Sequence, residues 1–469
     1  MDILNMEARG QSAALERRDL SALELMEATL ARIEAVNPAI NAVVSLRDGD
    51  TLRAEARAAD EGPRKGWLHG MPIAIKDLAN AAGLPTSQGS PLFAGQVAAR
   101  DDIMVARLRA AGAIVIGKTN TPEFGLGSHT VNPVHGATRN PYDTACSAGG
   151  SSGGAAAALA TGMLAVADGS DMMGSLRNPA GWNNVYGMRP TWGTVPGDAE
   201  GDLFLHPLST LGPMARSPAD MAALLDTMTG ADPALPLSTD GGSARAAMET
   251  PPGALRIGWL GDWGGAFPYE PGIAEICEGA LRQMADMGHR IDAPGPPFDA
   301  DLMWRAWCDL RALAVAAKLR GLHADEAKRA HLKPAALWEV ECGLALDARR
   351  ILEASARRSD WFRSAQALFQ GFDVLALPSA QVWPFDVTWT APERIGAREM
   401  DTYHRWMQVV VPASLIGLPV VNVPVGFGRN GLPAGMQLIG PRGSDGALLR
   451  LAQQWHDGTG WPQARPPQM

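Results

Sequence analysis

At 469 residues, with 46% hydrophobic and 19% charged residues, the chain can bury a large core and is too apolar for a disordered polymer. Its formal charge of −9, from 41 basic and 50 acidic residues, leaves no basic excess to neutralise phosphates, which argues against nucleic acid as the main ligand. Four dispersed cysteines (Cys146, Cys277, Cys308, Cys342) form no C-x-x-C pair, so they suggest reduced, mostly buried thiols and neither a zinc knuckle nor a disulfide framework.

The opening MDILNMEARG has no basic region leading into an apolar run, and no later segment reaches the ~18 apolar residues of a membrane span. The expectation is a cytoplasmic protein with no membrane partner. Ser21-Ala-Leu-Glu24 spells a capping box, and its helix should run to about Val36 and stop before Asn37-Pro38. Pro72–Lys76 and Ala113–Ile116 read as buried strands with a helix at Ile103–Ala111 between them, the strand-helix-strand order of α/β layers. Asn140 to Ala148 is polar and turn-prone, without strand character. It leads into Gly149-Gly-Ser-Ser-Gly-Gly154 and then an alanine-rich helix whose small side chains permit close packing.

Ser217-Pro218-Ala-Asp220 starts a capped helix with Met221, Leu224, Leu225 and Met228 on one face. Gly230 to Gly253 is Gly/Pro/Ser-rich and reads as a surface connection. From about Ala300 to Gln370 the pattern is helical and carries Trp304, Trp307, Trp338 and Trp361. Strand signals return at Val374–Leu377, at Val420–Val425 and at Met436–Ile439, with Asn430-Gly431 placed as a hairpin turn between the last two.

Three motifs compete for the chemistry. Gly112 to Thr119 spells a phosphate loop, but its middle residues form an apolar strand where the motif needs a turn, so nucleotide binding is not supported. No His-based metal motif occurs, and no metal or other cofactor is expected; His129 and His135, near the glycine-rich region, read as backbone-bonded loop histidines. G-x-S-x-G at Gly149 to Gly153 would make Ser151 an esterase nucleophile, but an elbow needs a preceding strand and none is expected.

A different constellation runs through the chain: G-M-P-I-A-I-K-D at 70–77, G-G-S-S-G-G at 149–154, G-S-D-x-x-G-S-x-R-x-P-A at 169–180 and Y-G-M-R-P-T at 186–191. In order, spacing and spelling this resembles the amidase signature family, hydrolases with a Ser-Ser-Lys triad. The likeness continues through Gly212–Ser217, Gly417–Pro419 and Pro433–Gln437. It implies one amidase domain over 1–469, with an α/β fold: a central mixed, twisted β-sheet flanked by helices on both faces. The helical insertion and substrate-pocket region is expected at about 295–400.

Carried over residue by residue, the resemblance makes Ser175 the nucleophile, Ser151 a bridging serine on a cis peptide and Lys76 the base. Lysine serves as a base only when neutral, and the apolar strand end IAIK supplies the desolvation that favours that form. Asp77 would oppose this unless it faces elsewhere, as strand neighbours do. The amides of Met172, Met173, Gly174 and Ser175 should form the oxyanion hole, with Ser152, Asp171 and Arg177 as supports. For Asp171 and Arg177 the alternative is a mere surface ion pair. Met172-Met173 stands where the family usually has small residues, so Met173 is expected to shape the pocket or limit the rate. Gly181-Trp182-Asn183-Asn184 is a further departure, where the family more often has a small residue, an aromatic and Cys-Gly, and Trp182 reads equally as a pocket wall or core packing. Leu126, Gly127, Trp182 and Met407 are candidate substrate contacts, within a wider set of Leu126–His129, Pro378–Trp389 and Tyr403–Val411.

The expected activity is cleavage of C–N bonds in small organic amides through an acyl-enzyme, with aryl amides and carbamates (urethanes) as candidate substrates. The alternatives are the Ser151 esterase and a glutamine-hydrolysing amidotransferase subunit. Tyr403 to Gln408 offers no acid to greet a glutamine amino group, and its aromatic and Met content favours an apolar substrate. Monomer and homodimer both stay open.

Overall fold

Ser21 opens helix α1 (Ala22–Ile40) with both bonds of the capping box: its hydroxyl accepts from the Glu24 amide at 3.1 Å, and its amide donates to Glu24 Oε2 at 2.8 Å. The structure, a computed structural model, describes residues 3–198, 201–205 and 208–469. Contrary to the expected stop before Asn37-Pro38, α1 continues through Pro38 to Ile40. A proline this near the end forfeits one backbone bond without ending the helix. Asn37 Oδ1 then accepts from the amides of Ala42 and Val43 at 2.8 and 2.9 Å, turning the chain into strand β1 (Val43–Val44).

Strands β2 (Pro72–Lys76) and β3 (Ile114–Thr119) lie parallel, joined through helix α2 (Ile103–Ala110), and β1 pairs antiparallel with β3 to complete a three-stranded sheet. Every residue of β2 and β3 is buried, which explains their apolar runs before each strand ends on polar residues, Lys76 in β2 and Lys118-Thr119 in β3. The phosphate-loop letters therefore fall mostly on a strand.

Before the glycine-rich loop the structure departs from expectation: Asp143–Ser147 is a strand, paired antiparallel with Arg139–Asn140. Two-stranded and mostly exposed, it owes its form to backbone pairing alone, so it left no apolar alternation to read. It lies outside the central sheet and supplies no elbow strand.

Helix α3 (Gly153–Ala160) leads to β4 (Val166–Asp171), short helix α4 (Asn178–Trp182), β5 (Tyr186–Arg189), β6 (Thr210–Ala215) and helix α5 (Pro218–Met228). Strand β7 (Arg256–Trp259), helix α6 (Ile273–Asp286) and β8 (Arg290–Asp292) follow. Three longer helices come next, α7 (Ala300–Ala324), α8 (Pro334–Leu344) and α9 (Ala348–Gly371), with a single helical turn at Glu326–Arg329 between the first two, then β9 (Val374–Pro378), β10 (Val420–Phe427) and β11 (Pro433–Ile439). Eight of these strands form one sheet in the order β8-β7-β9-β11-β10-β5-β6-β4. β7 is parallel to β8 and β9 while every other pair is antiparallel, so the sheet is mixed.

Alternation along β9 shows why both faces carry helices. Val374 and Ala376 join the cluster formed with α5 and α6, whereas Leu375 and Leu377 join the one formed with α7 and α9. The helical part of the 295–400 region is thus α7 to α9, and β9 belongs to the central sheet. Among the described residues no helix is long and apolar enough to cross a membrane.

Candidate active site

Strand β2 ends on Lys76, whose side chain is buried and whose Nζ lies 2.8 Å from Ser151 Oγ, 2.8 Å from Ser152 Oγ and 3.0 Å from Ser170 Oγ. Its backbone amide donates to Asp168 Oδ1 at 3.0 Å. Asp168 and Ser170 are alternate residues of β4, so they project to the same side and tie that strand to the end of β2. Burial lowers the Lys76 pKa to about 7, against the opposing pull of Asp168 and Asp171. Burial also raises Asp168, to about 6.

Ser151 follows a cis Gly150–Ser151 peptide, as the family resemblance implies. The loop is fastened on both sides: Ser128 Oγ donates to the Gly150 carbonyl at 2.6 Å, and the Thr130 amide donates to the Gly149 carbonyl at 3.0 Å. Close approach explains the second glycine pair. A Cβ on Gly154 would lie 2.4 Å from the Asn120 nitrogen and 2.7 Å from the Ala42 oxygen.

The loop after β4 is built around Asp171. This buried carboxylate takes Arg177 Nη2 at 2.9 Å, Arg177 Nε at 3.0 Å and Arg189 Nη1 at 3.1 Å. Burial pushes its pKa up, but the two guanidinium groups outweigh that and hold it well below the usual carboxylate range. Arg177 reaches on to the Val410 carbonyl at 3.0 Å and to Gln437 Oε1 and Ser414 Oγ, each at 2.6 Å, locking the loop to the far end of the chain. The Asp171–Arg177 pair is a brace and not a surface ion pair, because neither partner has exposed side-chain area.

Gly174 has φ +83, where an added Cβ would also meet Val410 at 3.0 Å. Its amide donates to Asp171 Oδ1 at 3.0 Å, so it differs from the expected oxyanion donor: its hydrogen already serves the brace. The amides of Met172, Met173 and Ser175 have no acceptor among the described residues.

A cavity of about 270 Å³ opens over this arrangement. Ser151, Ser170, Met172, Met173 and Ser175 line its floor, and Leu126, Gly127 and Met407 stand among its walls, as expected for the last three. Leu126 is held through its carbonyl, which accepts from Lys333 Nζ at 2.7 Å. Trp182 is not on the cavity. It stacks on Trp406 with ring centroids 5.7 Å apart and meets Phe385 edge-on at 5.6 Å, so its pocket-wall role gives way to core packing. Residues 378–389 and His129 likewise stay off the lining. His129 bonds Ser147 Oγ at 2.7 Å and the Val387 carbonyl at 3.0 Å.

Sequence reasoning expected a substrate-pocket region at about 295–400 but named no residue of α7, of which Arg311, Ala314, Val315, Lys318 and Leu319 line the cavity. Their spacing of three and four residues is the available signal. Ser170 was also missed, although it shares strand phase with Asp168. No acidic side chain stands among the described lining residues, and no group of three or more His, Cys, Asp or Glu among the described residues could hold a metal.

The family model for amidases matches residues 24–449. The chain belongs to the amidase signature family. As such it is a C–N hydrolase of amidase type. It is 32% identical to an acylamidase of Rhodococcus erythropolis over 98% of this chain and 97% of that one. It is 33% identical to a glutamyl-tRNA(Gln) amidotransferase component of Methylococcus capsulatus over 97% of each. Among solved structures, a bacterial aryl acylamidase of the same family superposes with a TM-score of 0.91 at 27% identity, covering 98% of this amidase chain and 99% of the other.

Proposed function

We propose that the protein is a stand-alone amidase for small apolar amides, aryl amides and aryl carbamates included, acting through an acyl-enzyme on Ser175. The observation that carries this reading is the contact of a buried Lys76, with its pKa near 7, on Ser151. Neutral Lys76 accepts the Ser151 hydroxyl proton as Ser151 accepts that of Ser175, and Ser175 Oγ bonds to the substrate carbonyl carbon. The oxygen that becomes negative takes hydrogen bonds from the Met172, Met173 and Ser175 amides; one such donor is worth ~2.7–4 kcal/mol. Return of the proton through Ser151 to the departing nitrogen lets the C–N bond break. Water then repeats the sequence on the acyl-enzyme, releasing the acid and restoring Ser175. A carbamate offers the same carbonyl and follows the same steps.

Substrate size and polarity follow from the walls. About 270 Å³ lies just below the ~300–1,000 Å³ common for small-molecule sites, which suits a compact substrate. Leu78, Phe124, Val315 and Leu319 make much of the lining apolar, beside the cations Arg311 and Lys318, and the absence of an acid among the described lining residues weighs against glutamine, whose ammonium would need one. The test is turnover by the isolated chain of an anilide and an aryl carbamate against glutamine. Anilide hydrolysis is expected; glutamine alone as substrate would favour the amidotransferase reading instead.

A further inference from the structure

Arg311 sits on the cavity wall with donors to spare. Its guanidinium is buried, with Nε donating to Glu339 Oε1 at 2.6 Å, Nη2 to Tyr403 Oη at 2.7 Å and Nη1 toward Met172 Sδ at 3.5 Å. Tyr403 Oη donates in turn to Glu339 Oε1 at 2.8 Å, so the pair is closed on its far side. A guanidinium has five N–H donors in a fixed fork. These bonds use three of them, leaving one hydrogen on each terminal nitrogen with no acceptor among the described residues. Arg311 lines the same cavity as Ser175, while Glu339 and Tyr403 do not.

Buried donors of this kind hold their partners firmly and penalise a ligand that leaves them unpaired. Arg311 is already paired with Glu339, and Lys318, the other cation on the lining, is not free, so a further carboxylate would be brought up beside an existing one with neither cation unengaged. An ammonium would meet two cations, Arg311 and Lys318, and no acid on the described lining. An uncharged oxygen acceptor has neither conflict.

We propose that Arg311 is a substrate-binding residue that hydrogen-bonds a second, uncharged carbonyl oxygen, so that the preferred substrates are amides or carbamates carrying another amide, ester or carbamate group. This rests on the amidase reading and assigns the substrate class of the same site.

The test uses 4-nitroanilides whose acyl chains, over a series of lengths, end in methyl, methyl ester, carboxylate or ammonium. At one chain length the ester should exceed its methyl counterpart tenfold or more in kcat/KM, with both charged forms below the ester. Arg311→Met combined with Glu339→Gln removes the guanidinium without stranding a buried carboxylate, and the ester-to-methyl ratio should fall to about one. Turnover of the methyl-ended anilides with a ratio near one at every length in the unaltered protein, or a ratio that survives the double substitution, would overturn the proposal and leave the amidase reading standing. Failure to turn over any anilide, with no phosphonate label on Ser175, would overturn both.

Discussion

Lys76 and Asp77 are neighbours in sequence and turn to different partners: Lys76 Nζ faces Ser151 and Ser152, while the Asp77 carboxylate accepts from the Ser87 hydroxyl and from the Ser87 amide at 3.1 Å. Asp77 instead lies 4.0 Å from Lys118 Nζ, so its charge is directed to a second buried lysine. Separation of this kind is what keeps an aspartate next in sequence from holding Lys76 protonated.

The pH dependence follows. On the proposed relay neutral Lys76 is the active form, so kcat should rise as pH passes through about 7 and then level off. Lys76→Met should remove that limb and lower kcat by about 10²–10⁴. Stability carries the same signature. The folded pKa lies below the reference of 10.5, so the folded chain binds fewer protons and this group's contribution to stability rises with pH between about 7 and 10.5. Denaturant unfolding of both forms across that window would show a steeper rise in the unaltered protein.

Ser151→Ala should leave Ser175 in place but break the proton path, lowering kcat by about 10²–10⁴ with a smaller change in KM. Steady-state kinetics on one anilide measure both. Unchanged kcat would remove Ser151 from the relay.

Met172 and Met173 occupy the lining beside Ser175, and Met173 is 3% exposed. Met173→Gly should enlarge the cavity and shift kcat/KM toward bulkier substrates by several-fold. Kinetics on anilides of graded size check this; an unchanged rate and specificity profile would show that Met173 shapes nothing.

Asp171→Asn would leave Arg177 and Arg189 buried without their anion, at a cost of about 3–5 kcal/mol. The unfolding midpoint should fall sharply, and kcat with it, because the same carboxylate holds the Gly174 and Leu176 amides at 3.0 Å. Trp182→Ala should cost a similar ~3–5 kcal/mol through the cavity it leaves while sparing KM, since Trp182 packs behind the site and not on it.

What the sequence made legible, and what it did not, follows the range of the interactions. Strands β2, β3 and β9 are buried on both faces and spell themselves as apolar runs, and the motif residues Lys76, Ser151, Asp171, Ser175 and Arg177 lie in short segments whose order was readable. Continuation of α1 to Ile40 follows from Pro38 lying so near the end that it costs one backbone bond, and the turn that follows rests on Asn37 accepting from two later amides, which propensity does not encode. Engagement of the Gly174 amide by Asp171 needed the loop's own geometry. Trp182 could be placed only once Trp406 and Phe385, more than 200 residues away, were seen against it. Which residues of α7 face the cavity was hidden for the same reason: the family resemblance implies a pocket region at about 295–400, but nothing in the spelling says which helix face covers Ser175.

Covalent trapping with a serine-reactive phosphonate, followed by mass spectrometry of the modified peptide, separates Ser175 as the nucleophile from Ser151 as its bridge to Lys76. Label is expected on Ser175 and should be abolished by Ser175→Ala; label on Ser151 that persists in Ser175→Ala would make Ser151 the nucleophile instead.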